Sequence, residues 1–214
     1  IVTTDRMSAF DVIMNEPIPY KGVILNQITL FWMEKFKSII PNHLLESDVN
    51  RFPDRLAPWK DELEGRAVLV RKAAPLPVEC IVRGYITGSG WSDYQTTGKL
   101  EPAIFTPSTK AELGKHDENL SVAEAARLLG EDMARQVEQT SLAIYEAGRI
   151  YAASRGIIVA DTKFEFGFID GRLHLRDWLK AQPWDMQPPP PPLPEDIIKI
   201  TADKYKEAYE IITK

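Results

Sequence analysis

The chain has 214 residues, and its content of 44% hydrophobic and 27% charged residues is that of an ordinary globular protein. A formal net charge of −5 argues against a broad nucleic-acid-binding surface, and no apolar run approaches the roughly 20 residues of a transmembrane helix. Cys80 is the single cysteine, which excludes an intrachain disulfide and suits a reducing compartment.

The N-terminal region predicts short strands followed by one helix. Residues 1–28 contain short apolar runs broken by proline and glycine, which is typical of strands and turns. Residues 29–40 carry apolar side chains at helical spacing, and Pro41 predicts the end of that helix because proline disfavours helical backbone in its predecessor. Residues 50–65 are polar and contain two prolines, so we expect a loop there.

A boundary between two lobes is predicted at the alanines and prolines of residues 73–77, which interrupt an apolar strand candidate at residues 67–70. We therefore expect an N-terminal lobe over residues 1–74 and a larger C-terminal lobe over residues 75–214.

The next segment predicts a strand that leads an arginine into a glycine-rich loop. Alternation over residues 78–83 places two valines and the cysteine on one face, and Glu79 and Arg83 on the other. Gly88 and Ser89 follow in a loop whose backbone N–H groups can approach an anion, and arginine also binds anions well. On the residues alone, a glycine-rich hairpin with an incidental arginine is equally compatible, and no Walker A or dinucleotide fingerprint is present.

Two helices are predicted in the middle of the chain. Ser121 and Glu124 form a capping box that predicts a helix start, and Gly130 predicts the end of that helix. A longer helix follows, with Gly156 suited to its C-terminus. Its predicted apolar stripe consists of Met133, Val137, Ile144 and Tyr151.

The most informative segment is residues 161–167, which follow the apolar run of residues 157–160. Strand alternation places Asp161, Lys163 and Glu165 on one face, about 6.6 Å apart in succession. Two carboxylates that flank an ammonium group can hold Mg²⁺ together with a phosphate oxygen. The alternative is a solvated strand face whose charges pair with one another. We favour a functional site because a simple surface face is less natural after a fully apolar run.

The remaining elements indicate the α+β class. Asp170 and Gly171 form the dipeptide of a tight hairpin, and residues 172–175 form its returning strand. Residues 188–192 are a polyproline spacer, and residues 195–213 predict a closing helix. Hairpins and helices occur without regular βαβ alternation, which is the pattern of an α+β fold.

Other polar segments are ambiguous on their own. Residues 105–110 and 116–119 are rich in groups that bind small polar ligands, but an exposed loop explains them better in isolation, and residues 4–11 are equally ambiguous. His43 and His174 have no partners at metal-ligand spacing, so we interpret both as structural. The single cysteine alternates with valines and is interpreted as a core thiol rather than a nucleophile.

Together these segments resemble the SAICAR synthetase family, the phosphoribosylaminoimidazole-succinocarboxamide synthases. Residues 76–89 resemble one signature of the family, and residues 160–167 resemble the other. The resemblance continues in the same order through residues 4–11, 22–42, 105–119, 176–179 and the closing helix, so it covers nearly the whole chain.

The resemblance implies an antiparallel-sheet N-terminal lobe, a larger α+β lobe with long helices, and ATP in the cleft between them. It implies an ATP-dependent ligase of de novo purine biosynthesis, which joins L-aspartate to carboxyaminoimidazole ribonucleotide (CAIR) to give SAICAR, ADP and phosphate. The implied cofactors are ATP and Mg²⁺. The implied setting is the cytoplasm, as a monomer or small homo-oligomer without nucleic-acid or membrane partners.

The same resemblance assigns residues to roles. Lys163, Asp161 and Glu165 form the catalytic group, and Glu165 also binds the metal. The residues assigned to the substrates are Arg83, Gly88, Ser89, Arg176, Lys110, Asp117, Asn119, Ser8 and Asp11. Those assigned to ATP are Val70, Arg71, Lys72 and Glu79.

The chain also departs from the family. Family members begin with a strand that carries a Gly-Lys phosphate loop, have a further stretch between Gly98 and Glu101, and have an acidic strand end and an Asp-Ser-Ser-Arg-type loop after Leu175. The last stretch would supply a second Mg²⁺ ligand and a substrate-binding arginine, which neither Asp170 nor Asp177 replaces. We therefore expect the 214 residues to be ordered segments of a longer chain. An intact mass of 24.2 kDa would refute this, and we expect a chain of only that mass to be inactive.

Two other functions stay open on the sequence alone. Another ATP-using ligase or kinase on a similar fold would release ADP without depending on aspartate. A regulatory module would bind ATP tightly without turnover.

Overall fold

The computed structural model describes residues 1–9, 12–85, 103–109, 118–176 and 193–214, which form an α+β structure. The strands of these residues are β1 (Ser8–Ala9), β2 (Val12–Ile13), β3 (Leu44–Glu46), β4 (Leu69–Val70), β5 (Ala74–Pro75), β6 (Val78–Arg83), β7 (Ile104–Phe105), β8 (Ser108–Thr109), β9 (Asp161–Ile169) and β10 (Arg172–Arg176). The α-helices are α1 (Lys21–Phe36), α2 (Lys60–Leu63), α3 (Val122–Leu129), α4 (Glu131–Ala153) and α5 (Glu195–Thr213).

Contacts divide the chain into two compact units. The first contains residues 1–35 and 43–72 together with helix α5, and the second contains residues 36–42 and the described residues from 73 to 176. This grouping differs from the predicted range 75–214, because α5 contacts the start of α1. The Lys21 ammonium group lies 5.9 Å from the centre of the Tyr205 ring.

In the first unit, helix α1 starts eight residues before its predicted start. The carboxylate of Asp5 caps the helix, accepting a hydrogen bond of 2.7 Å from the N–H of Gly22, and Arg66 holds the same carboxylate at 3.3 Å. The expectation of strands and turns is therefore wrong for residues 21–28, because a capping group 17 positions away overrides the local pattern, whereas the short strands β1 and β2 precede the helix. Helix α1 ends at Phe36 and not at residue 40.

The polar segment of residues 50–65 is also more regular than predicted. It contains the 3-10 helices Val49–Arg51 and Asp54–Trp59, followed by α2, and Pro58 lies inside the second of these. A 3-10 segment this short tolerates proline because few of its N–H groups make intrahelical hydrogen bonds.

The second unit is built on an antiparallel sheet with the strand order β10-β9-β6-β7. Strand β5 also pairs with β9, and β8 also pairs with β6. The predicted hairpin between β9 and β10 is confirmed, since Asp170 and Gly171 have φ angles of 51° and 73°. Strand β9 begins at Asp161, so the preceding apolar run is not part of it.

Helices α3 and α4 form the helical layer of the second unit. The capping box of Ser121 and Glu124 is present, and Gly130 ends α3 as predicted. The buried stripe of α4 is displaced from the predicted one, because Val137 and Ile144 are buried while the other two predicted members are only partly so. The buried residues of α4 are Ala134, Val137, Ser141, Ile144, Tyr145, Gly148 and Ala152. Within the described ranges, no helix is long and apolar enough to cross a membrane.

Candidate active site

Charged side chains from three neighbouring strands lie on one face of the sheet. Arg83 on β6 lies opposite Asp161 on β9, and Arg176 on β10 lies opposite Glu165. Directly opposed residues project to the same side of an antiparallel sheet, and residues two apart on a strand share a face. We call this group the charged face, and it consists of Glu79, Arg83, Asp161, Lys163, Glu165 and Arg176.

Lys163 forms an ion pair with Glu79 on the neighbouring strand. The Glu79 side chain is only 1% exposed, whereas that of Lys163 is 39% exposed. A buried carboxylate is tolerated when it is paired with a cation, so the pair explains how Glu79 can lie inside the sheet layer. The exposed fraction of Lys163 leaves part of that side chain accessible from the surface.

Arg83 is held from two directions. Its Nη1 lies 3.6 Å from Oδ2 of Asp161, and its Nε donates a hydrogen bond of 3.1 Å to Oγ1 of Thr106. The Arg83 side chain is 17% exposed. Because a guanidinium group is planar, these two contacts fix the direction of its fork.

Glu165 forms the third pair. Its Oε2 lies 3.4 Å from Nη1 of Arg176, and the Glu165 side chain is 7% exposed. Strand β9 therefore presents one carboxylate on each side of Lys163, as the sequence predicted. Each of these three charged groups also contacts a partner on an adjacent strand. The alternative interpretation, in which these three charges pair with one another, differs from the structure, where each pairs with a residue of β6 or β10.

The charged face has alternating sign and is partly sheltered from water. Partial exclusion of water strengthens electrostatic interactions. These groups therefore interact more strongly with a bound ligand than the same groups would on a fully exposed surface. Arginine forks match phosphate and carboxylate oxygens, and an ammonium group supplies a compact positive charge. The described residues include no group of three or more His, Cys, Asp or Glu side chains placed to hold a metal ion. A metal at Glu165 would therefore need further ligands, such as phosphate oxygens.

The opposite face of β6 is anchored in the core. Val78, Cys80 and Val82 are each at most 1% exposed. Burial raises the pKa of the Cys80 thiol from 9.0 to about 12, so the thiol stays protonated and the prediction of a core cysteine is confirmed. His43 and His174 are buried, at 3% and 4% exposure, as their structural interpretation predicted.

A buried tyrosine ties the end of β6 to the start of β9. The hydroxyl of Tyr145 on α4 donates a hydrogen bond of 2.7 Å to the carbonyl of Val159, and burial raises the pKa of Tyr145. Gly84, next to Arg83, donates its N–H to the carbonyl of Ala160 at 2.9 Å. These contacts hold the ends of the two strands together where Arg83 and Asp161 meet.

Other predicted site residues lie apart from the charged face or outside the description. Val70 ends strand β4, and Arg71 and Lys72 follow it as exposed residues of the first unit. Asn119 forms a backbone bridge with Ser108 and is exposed. The predicted site residues that lie outside the described ranges are Asp11, Gly88, Ser89, Lys110 and Asp117. The polyproline segment also lies outside these ranges, and for Ser8 only the backbone is described.

The structure adds residues to which no sequence pattern assigned a role. Thr106 holds Arg83, and Ser108 lies opposite Glu79 with 2% of the residue exposed. Both belong to the segment 105–110, whose groups suit small polar ligands but for which an exposed loop was the better expectation in isolation; the burial of Ser108 differs from that expectation. No local signal identifies them, because their positions follow from the pairing of short strands β7 and β8 with β6.

A sheltered face that carries two arginine forks and a lysine suits a protein that binds small anionic ligands. The model of one family, SAICAR synthetase, matches residues 1–183. The chain belongs to the SAICAR synthetase family, as the resemblance predicted.

Relatives of known identity match along the entire chain. The phosphoribosylaminoimidazole-succinocarboxamide synthase of Maridesulfovibrio salexigens is 50% identical, and the match covers 100% of this chain and 87% of that protein. The enzyme of the same name from Geobacter sulfurreducens is 45% identical, with 100% and 88% covered. The alignment with the first relative runs over 261 positions, whereas this chain has 214 residues. Stretches of that relative, at least 47 positions in total, therefore have no counterpart here.

Solved structures share the fold. SAICAR-synthase from Saccharomyces cerevisiae, in a complex with SAICAR, has a TM-score of 0.84 and 35% identity, and the match covers 99% of this chain and 87% of that one. A SAICAR synthetase in complex with ADP has a TM-score of 0.70, with 99% and 89% covered, and at 22% identity this likeness concerns the fold alone.

Proposed function

We propose that this protein is an ATP-dependent ligase that joins L-aspartate to CAIR to give SAICAR, ADP and phosphate in de novo purine biosynthesis. The observation that carries this proposal is the 50% identity, over the whole chain, to a phosphoribosylaminoimidazole-succinocarboxamide synthase. The yeast relative solved with SAICAR supports the same choice of product. The charged face supports it physically, because every reactant carries phosphate or carboxylate groups.

The reaction proceeds in two displacements. A carboxylate oxygen of CAIR attacks the γ-phosphorus of ATP, and ADP leaves while an acyl phosphate forms. The amine of L-aspartate then attacks the acyl carbon, and phosphate leaves with the former carboxylate oxygen as nitrogen loses a proton. Both steps depend on positioning and on charge stabilisation, so no covalent enzyme intermediate is needed.

Lys163 is the proposed catalytic residue. Its ammonium group lies in the middle of the charged face and neutralises negative charge on the transferred phosphoryl group. Asp161 lies beside it and holds Arg83.

Glu165 is the proposed metal ligand. Its carboxylate lies beside Arg176 in the sheltered part of the charged face, and Mg²⁺ in nucleotide sites uses one or two carboxylates together with substrate phosphates. The residues therefore fit Mg²⁺ held largely by ATP. When bound, Mg²⁺ supplies neutralising charge to the phosphate oxygens.

The remaining assignments are part of the proposal. Arg83 and Arg176 bind the phosphate and carboxylate groups of CAIR, since both present guanidinium forks on the charged face. The adenine of ATP binds near Val70, Arg71 and Lys72. The remaining residues proposed to line the substrate pocket are Ser8, Asp11, Gly88, Ser89, Lys110, Asp117 and Asn119. We also propose a cytoplasmic location and a monomer or small homo-oligomer without nucleic-acid or membrane partners.

The experiment measures ADP release by the full-length protein with Mg-ATP and CAIR, with and without L-aspartate. The proposal predicts turnover only when L-aspartate is present, and its loss in Lys163→Ala and Glu165→Ala. ADP release that ignores aspartate would favour a different ligase or kinase. Tight ATP binding without turnover in a folded full-length protein would favour a regulatory module.

A further inference from the structure

Glu79 has the least exposed side chain of the charged face. Its 1% exposure compares with 7% for Glu165 and 53% for Asp161. A side chain that is 1% exposed presents almost no surface to a ligand. It was assigned to ATP only by resemblance, whereas the structure pairs its carboxylate with Lys163.

The backbone around Glu79 fixes the carboxylate in place. Glu79 lies inside β6, opposite Ser108 of β8. On the other side β6 pairs with β9, where Ile81 lies opposite Lys163, so Glu79 and Lys163 are diagonal neighbours on one face. Diagonal neighbours lie about 7–8 Å apart at the backbone, a separation that two long side chains bridge.

We propose that Glu79 is a positioning residue for the ligase reaction: its carboxylate holds the Lys163 ammonium group at the transferred phosphoryl group and does not contact ATP. This inference rests on the proposed function. A lysine side chain has four flexible carbons, and an unpaired one distributes over many rotamers. An ion pair to a carboxylate inside a strand restricts that distribution. Misplacement of a catalytic group by about 1 Å costs on the order of 100-fold in rate.

The test compares Glu79→Gln with Glu79→Asp in the full-length protein. The Gln variant keeps the volume and a hydrogen-bond acceptor but removes the charge, and we expect kcat to fall about 10- to 100-fold. The KM for L-aspartate is expected to stay within about twofold, since Lys163 acts on the phosphoryl group. The Asp variant keeps the charge and is expected to recover part of kcat. Ser141→Ala serves as a control, because Ser141 on α4 contacts Cys80 on the face of β6 opposite to Glu79, and it should leave kcat unchanged.

A double-mutant comparison separates positioning from a general structural role. In a Lys163→Met background, which the proposed function expects to lack turnover, Glu79→Gln should have no further effect on ADP affinity measured by calorimetry. A loss of ADP affinity that persists without Lys163 would overturn the proposal, and so would a Gln variant with wild-type kcat. Absence of aspartate-dependent turnover in the wild type would instead refute the proposed function, so the two failures are distinguishable.

Discussion

Replacing Gly84 with alanine should destabilise the protein through one identifiable contact. A Cβ at this position would overlap the hydroxyl of Tyr145 and lie 2.6 Å from its Cζ, closer than carbon atoms pack. The backbone of Gly84 lies outside the left-handed region, so the substitution tests packing and not backbone strain. Tyr145 is 1% exposed and cannot move into solvent without opening the core.

The expected loss combines two effects. Overpacking of a well-packed core costs about 1–3 kcal/mol. A shift of the ring also breaks the 2.7 Å hydrogen bond to the carbonyl of Val159 and leaves the hydroxyl of the buried Tyr145 without its partner, which costs about 1–3 kcal/mol. Gly84→Ala should therefore lower the free energy of unfolding by about 2–6 kcal/mol.

Urea denaturation of a double-mutant cycle measures this directly. Tyr145→Leu removes the ring atoms that Gly84→Ala would overlap, so in that background the alanine should cost less than about 1 kcal/mol. A loss below about 1 kcal/mol in the wild type, or the same loss in both backgrounds, would refute the reasoning.

Three further predictions follow from single contacts. Cys80 should resist a thiol reagent at pH 8 until the protein is unfolded, and rapid labelling of the folded protein would contradict this prediction. Because the pKa of Cys80 is raised from 9.0 to about 12 on folding, its contribution to stability should decline as the pH rises above 9. The Cys80→Ala variant should not show this decline. Ser121→Ala removes the N-cap of α3 and should lower the thermal midpoint by about 2–4 °C, so an unchanged midpoint would count against the capping role. Thr106→Val removes one of the two contacts that hold Arg83 and should raise the KM for CAIR about two- to tenfold. Thr106→Ser keeps the hydroxyl and should leave the KM unchanged. Equal effects of both variants would contradict a role of this hydrogen bond in positioning Arg83.

The sequence predicted those parts of the site that depend on local patterns. The period-two alternation of residues 161–167 correctly placed Asp161, Lys163 and Glu165 on one face. The two-residue turn at Asp170 also sets the register of β9 and β10, which places Arg176 opposite Glu165.

Contacts between distant segments could not be predicted in the same way. Glu79 and Lys163 are 84 positions apart, and only the pairing of β6 with β9 brings them together. The start of α1 depends on the remote carboxylate of Asp5. The stripe of α4 was displaced because the small residues Ser141 and Gly148 face the core, where a hydrophobicity pattern does not detect them.

The central claim is that this protein activates the carboxylate of CAIR with ATP at the charged face, and oxygen transfer tests it most directly. CAIR labelled with ¹⁸O in its carboxylate is incubated with Mg-ATP, L-aspartate and the full-length protein, and the released phosphate is analysed by mass spectrometry. The account predicts one ¹⁸O atom per phosphate formed, in step with SAICAR production, and neither product from Lys163→Ala. Unlabelled phosphate, or SAICAR production that survives Lys163→Ala, would contradict it.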